Sequence, residues 1–87
     1  MKKIYNVVVN VRGFSRERDN VILRSLQRRD RRLFNGSGFS FFSGTRDLGF
    51  ETYKKDIAER LQKNLRAVLK KNKIRGSVKI WTDELDW

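Results

Sequence analysis

The chain has 87 residues, with no cysteine, histidine or proline, 21 Lys plus Arg against 10 Asp plus Glu, a formal charge of +11 and a pI near 10.8. Zero cysteine excludes disulfide frameworks, thiol catalysis and thiolate metal sites; zero histidine excludes imidazole general bases and His-based zinc centres. With 38% hydrophobic and 11% aromatic residues, the composition predicts one small basic domain over residues 1–87, not a disordered tail, and no cofactor. Met1-Lys2-Lys3 resembles the start of a signal peptide. The apolar run Val7-Val8-Val9 is broken by Asn6 and Asn10, and no stretch is long enough for a leader or a membrane span, so the expectation is a cytoplasmic protein without membrane attachment.

In chain order, Ile4 to Val11 is β-branched and alternates around Asn6 and Asn10, which predicts a first strand ended by Gly13. Ser15 is a good N-cap for a following helix whose first turn holds Glu17 and Asp19, where acidic groups meet the positive end of the helix dipole. Ile22, Leu26 and Leu33 form its apolar stripe, broadened by Leu23. Arg29 falls on that same side, so the helix is expected to fray or end near residues 28–32, and Asn35-Gly36 marks the stop. Phe39 to Phe42 is expected as the second strand and Leu48 to Glu51 as the third, joined by a short loop through Gly44. The clearest element is a helix over about Tyr53 to Asn72, with Ile57, Leu61, Leu65 and Val68 at helical spacing and Ala58 and Leu69 beside them. A fourth strand, Ser77 to Thr82, sets Val78, Ile80 and Thr82 against Lys79 and Trp81 on its other side. Asp83 to Trp87 then reads as a short acidic tail.

The order β-α-β-β-α-β, with one apolar stripe per helix, predicts an α+β fold: a four-stranded antiparallel sheet with two helices on one face, the ferredoxin-like split βαβ arrangement. The helices should cover Val7, Val9, Val11, Phe39, Phe41, Leu48 and Phe50. The open face should show Asn6, Val8, Asn10, Arg12, Ser40, Phe42, Glu51, Lys79 and Trp81, of which Phe42 and Trp81 are candidate platforms for unpaired bases.

The topology resembles that of ferredoxin-like RNA-recognition domains, and Ile4-Tyr5-Asn6-Val7-Val8-Val9 is similar to their aromatic first-strand motif. Their basic-glycine-aromatic third-strand signature is not matched by Asp47-Leu48-Gly49-Phe50-Glu51. The chain also resembles small basic bacteriophage proteins, some of which bind RNA to blunt host defences or toxins. Val11-Arg12-Gly13-Phe14-Ser15-Arg16 is similar to the phosphate loop of acylphosphatases, with Arg16 in the arginine's place, but no strand asparagine follows in Phe39 to Phe42. Size and topology are similar to those of CRISPR-associated ribonucleases. Val9-Asn10-Val11-Arg12 lacks their strand-one aspartate, so no catalytic or metal-binding residue is expected.

Basic residues carry the stronger signal. Arg24, Arg28 and Arg31 on the first helix, with Arg32, and Lys63, Arg66 and Lys70 on the second, followed by Lys71, Lys73 and Arg75, lie away from the apolar stripes. The run Arg28-Arg29-Asp30-Arg31-Arg32 favours arginine, whose planar fork matches phosphate oxygens, and a polyanion would relieve the self-repulsion of this charge. With Arg12, Arg16, Lys79, Phe42 and Trp81, these residues form the expected nucleic-acid surface. RNA is the favoured partner, because no helix-turn-helix, zinc or zipper motif offers a major-groove reader. An inhibitor that meets an acidic or RNA-binding host protein, such as a nuclease or toxin, directly or through bound RNA, is the alternative expectation.

Overall fold

The computed structural model describes residues 2–85. In chain order it consists of β1 (Lys2–Arg12), α1 (Arg16–Ser25), α2 (Arg28–Arg31), β2 (Phe34–Ser40), β3 (Thr45–Thr52), α3 (Lys55–Lys71) and β4 (Gly76–Leu85). The four strands form one antiparallel sheet in the order β2-β3-β1-β4, so β3 lies between β1 and β2. The result is an α+β slab of 38 × 30 × 17 Å, one sheet thick and one helix layer thick.

The core follows from strand alternation. Val7, Val9 and Val11 of β1, Leu48 and Phe50 of β3 and Val78 of β4 all point to one side, where Ile22 and Leu26 and then Ala58, Leu61, Leu65, Val68 and Leu69 of α3 cover them. Ser15 caps α1 as its sequence position implies, its hydroxyl accepting from the Arg18 N–H at 3.2 Å.

The structure departs from the expected elements in three places. The long first helix breaks at Leu26-Gln27, and residues 28–31 form a separate single turn. The break turns Asp30, not Arg29, inward; Arg29 is exposed, and Leu33 still packs against the core. The second strand is Phe34–Ser40 in place of Phe39–Phe42, and β3 begins three residues early at Thr45. Phe41 and Phe42 therefore occupy the turn, fully exposed, so Phe41 does not face the helices and Phe42 does not lie on the open sheet face. Phe39 keeps its expected side, but stacks edge-on against Phe14 and Phe41 at the rim of the sheet. The turn closes by hydrogen bonds from the Gly44 N–H to Ser40 and from the Gly13 N–H to Gly44, and both glycines adopt the positive φ that such a turn needs. Finally, Asp83, Glu84 and Leu85 extend β4 and pair with Ile4, Lys3 and Lys2. Asp86 and Trp87 of the expected tail lie outside the described residues.

Candidate functional site

Charge is divided between the two layers. The helix-bearing stretches 14–33 and 53–75 carry seven basic against three acidic and nine basic against two acidic side chains, surpluses of four and seven. The strands carry five basic and four acidic side chains, and the fifth acidic residue of the rest of the chain, Asp86, lies outside the described residues. A surplus equal to the formal +11 thus falls in the helix-bearing stretches, and the strands are within one charge of balance. A polyanion approaching that side meets a predominantly positive field, in which only Glu17, Asp56 and Glu59 are exposed acidic groups among the described residues, and one approaching the sheet meets evenly mixed signs.

Two arginines within this surplus, and Arg46 of β3, hold the fold. Arg18 donates to the loop carbonyls of Arg12 at 2.8 Å and Gly13 at 2.5 Å, stapling the turn between β1 and α1. Arg46 lies over the Phe14 ring at 4.5 Å and bonds Asp19 of α1 at 3.0 Å, tying the start of β3 to that helix. Arg60 of α3 donates to Asp30 at 2.7 Å, and Asn64 donates to the other Asp30 oxygen at 3.1 Å. Asp30 is 0% exposed, and a carboxylate so placed needs those donors. Pinned through Asp30, the single turn projects Arg28, Arg29, Arg31 and Arg32 into solvent. Arg24 is exposed on the last turn of α1 just before it.

A second basic group gathers at the other end of the slab. A cleft of about 320 Å³ lined by Ser15, Glu17, Arg18, Val21, Asn72 and Ile74 shows the start of α1 lying beside the end of α3. Arg12 and Arg16 are exposed at the former, and Lys70, Lys71, Lys73 and Arg75 at the latter. The α3 terminus closes with the Ile74 N–H on the Leu69 carbonyl at 2.8 Å and Lys73 at a φ of 55°. Glycine is the usual residue at this position after a helix, so the lysine is held there against backbone preference. Between the two groups α3 exposes Lys63 and Arg66, the latter reaching the Val78 carbonyl at 3.5 Å.

The expected surface is therefore split. Arg16, Arg24, Arg28, Arg31, Arg32, Lys63, Arg66, Lys70, Lys71, Lys73 and Arg75 belong to the helix-bearing stretches or their ends. Lys79 and Trp81 lie on the open face, on the same side as Asn6, Val8 and Asn10. There a depression of about 410 Å³ runs beside Trp81, floored by Gly36, Gly38, Gly49 and Val8 and flanked by Asp47. On the same face polar groups bond one another: Asn10 donates to Asp47, and Asn6 donates to Asp83 at 2.9 Å. Phe42, with Phe41, forms the tip of the β2–β3 hairpin, next to Arg12 through the Arg12–Thr45 pair. Sequence reasoning missed Arg29, which it placed on the apolar side, and passed over Lys54 and Lys55, exposed before and at the start of α3. Only the helix break, which depends on Asp30 meeting α3, shows Arg29 to be free.

Among the described residues there is no cluster of three or more potential metal ligands, and no helix is long and apolar enough to cross a membrane. Comparison with protein-family models and with curated proteins gives no match to this chain.

Proposed function

We propose that the chain is a non-enzymatic, cytoplasmic nucleic-acid-binding protein, with RNA favoured, that grips phosphates with its helix layer. The strand order is the one a ferredoxin-like split βαβ unit produces, and that fold name is part of the proposal. The observation that carries the reading is the segregation of charge: the excess falls in the helix-bearing stretches, against strands within one charge of balance. Arg28, Arg29, Arg31 and Arg32 supply forked donors at one end, and Arg16, Lys71, Lys73 and Arg75 supply cations at the other. Phe41 and Phe42, fully exposed beside Arg12, are placed to stack on unpaired bases at the edge of this surface. Trp81 and Lys79 face away from the helix layer and take no part in it.

An acidic protein partner is the second reading, favoured by the same two phenylalanines, since an exposed aromatic tip also suits a protein groove. Fluorescence anisotropy with labelled single-stranded RNA, duplex RNA and single-stranded DNA, on protein stripped by nuclease and a salt wash, tests the proposal. The expected result is binding whose affinity falls steeply with salt, with a log–log slope of about −3.5 for roughly five phosphate contacts to a single strand. Absence of binding to all three at low salt overturns it.

A further inference from the structure

β4 is an edge of the sheet, and its free backbone groups follow from the ladder. The Glu51 N–H donates to the Leu33 carbonyl at 2.9 Å, so Glu51 faces the β2 side and Phe50 faces β1. Carried through the Val7–Phe50 and Asn6–Trp81 pairs, this alternation turns Lys79, Trp81 and Asp83 toward β1. It turns Val78, Ile80, Thr82 and Glu84 outward. A second observation marks the same phase: Gln62 of α3 donates to the Val78 carbonyl at 2.8 Å. That contact covers one end of the edge. Among the described residues nothing bonds the outward groups of Ile80, Thr82 and Glu84.

We propose that this edge pairs antiparallel with β4 of a second copy of the chain, about a two-fold axis at Trp81. Ile80 then exchanges backbone bonds with Thr82 of the second copy, and the reverse. Trp81 meets its own counterpart at a non-hydrogen-bonded position, where facing side chains are closest. Charge selects this register. Lys79 and Asp83 lie two residues on either side of Trp81, on the same face, so each meets the opposite sign across the axis. On the other face, Glu84 comes opposite Val78, whose carbonyl Arg66 already reaches. Sliding the strands by two residues either way sets Trp81 against Lys79 or Asp83 and dissolves both ion pairs. A charge on an edge strand ordinarily repels a second copy; opposite signs placed symmetrically about one residue attract it instead.

The pairing also gives the acidic end of β4 a role. The strands are within one charge of neutrality, so two edges can meet although each chain carries +11. A two-fold axis normal to the sheet keeps both helix layers on one side. The dimer would present a single basic surface of doubled length on a continuous eight-stranded sheet.

Sedimentation equilibrium on the full chain, freed of nucleic acid, tests this. A concentration-dependent dimer is expected. Lys79→Glu and Asp83→Lys should each weaken it about tenfold, and the double variant, which swaps the signs, should return to within about threefold of the parent. Because the chain has no cysteine, Trp81→Cys adds a direct readout. Mild oxidation should link it into a disulfide dimer, while Lys55→Cys, exposed at the start of α3, should remain unlinked. Circular dichroism on each variant establishes that the fold is retained. A folded parent that stays monomeric at all concentrations overturns the proposal. So does a dimer indifferent to the single reversals, or one that the double variant fails to restore.

Discussion

Asp30 and Arg60 join the shortest helix to the longest: a fully buried carboxylate from the turn Arg28–Arg31 receives the α3 guanidinium at 2.7 Å. Four exposed arginines depend on this one anchor for their placement. Removing Arg60 by Arg60→Met leaves Asp30 buried with Asn64 alone. The loss should approach the roughly 3–5 kcal/mol seen when one partner of a buried pair is deleted, at its lower end because Arg60 is itself partly exposed. Arg28→Ala, at the surface of the same turn, should stay within about 0.5 kcal/mol of the parent. Urea unfolding of both variants makes the comparison.

Leu61 and Phe50 pack in the middle of the core, with 0% and 1% exposure. Leu61→Ala and Phe50→Ala should each cost on the order of 2–5 kcal/mol. In a small domain with about 5–15 kcal/mol of stability in total, either variant should show a plainly lowered melting temperature. Denaturant midpoints equal to the parent's would contradict the core described above.

Lys73 sits in the left-handed region immediately after α3. Lys73→Gly should therefore raise stability by up to about 1 kcal/mol, because glycine adopts this conformation without the side-chain penalty. The same change removes one cation from the helix-layer surface, so RNA affinity should fall as the melting temperature rises. Parallel thermal melts and anisotropy titrations reveal whether the two move in opposite directions.

Phe42→Ser should leave stability within about 0.5 kcal/mol of the parent, and adding Phe41→Ser, which removes the edge-on contact with Phe39, should cost about 1 kcal/mol or less. Binding to unpaired RNA should weaken by roughly 1–3 kcal/mol per stacked base, with little dependence on salt. Duplex RNA, whose bases are not available for stacking, should bind as before. Equal losses for both substrates would remove the aromatic tip from base contact.

The elements that alternate or repeat over many residues were legible in the sequence. Val7, Val9 and Val11 define β1, and Ile57, Leu61, Leu65 and Val68 define α3, because each pattern presents one apolar side to a single core. β2 was not legible. Its own residues include Asn35, Gly36 and Gly38, which have low strand propensity, while the stronger strand formers Phe41 and Phe42 lie in the turn. What makes Phe34–Ser40 a strand is its hairpin ladder with β3, a pairing that no pattern within the segment itself carries. The same holds for Asp30, whose burial exists only because Arg60 and Asn64 lie opposite on α3. The basic residues of the site were readable one by one. Their division between a charged helix layer and a neutral sheet required the strand and helix boundaries.

That division is tested most directly by two double variants matched in net charge. Arg28→Glu with Arg31→Glu reverses the helix layer, and Lys3→Glu with Lys79→Glu reverses the strands. Affinity for one labelled single-stranded RNA is measured across a salt series for the parent and both. The account predicts that the helix pair loses most of its affinity and that its salt slope shrinks by about 1.4, from roughly 0.7 per lost phosphate contact. The strand pair should lose far less at the same net charge. Equal losses in the two variants would contradict the account, because net charge alone, and not its placement on the helix layer, would then govern binding.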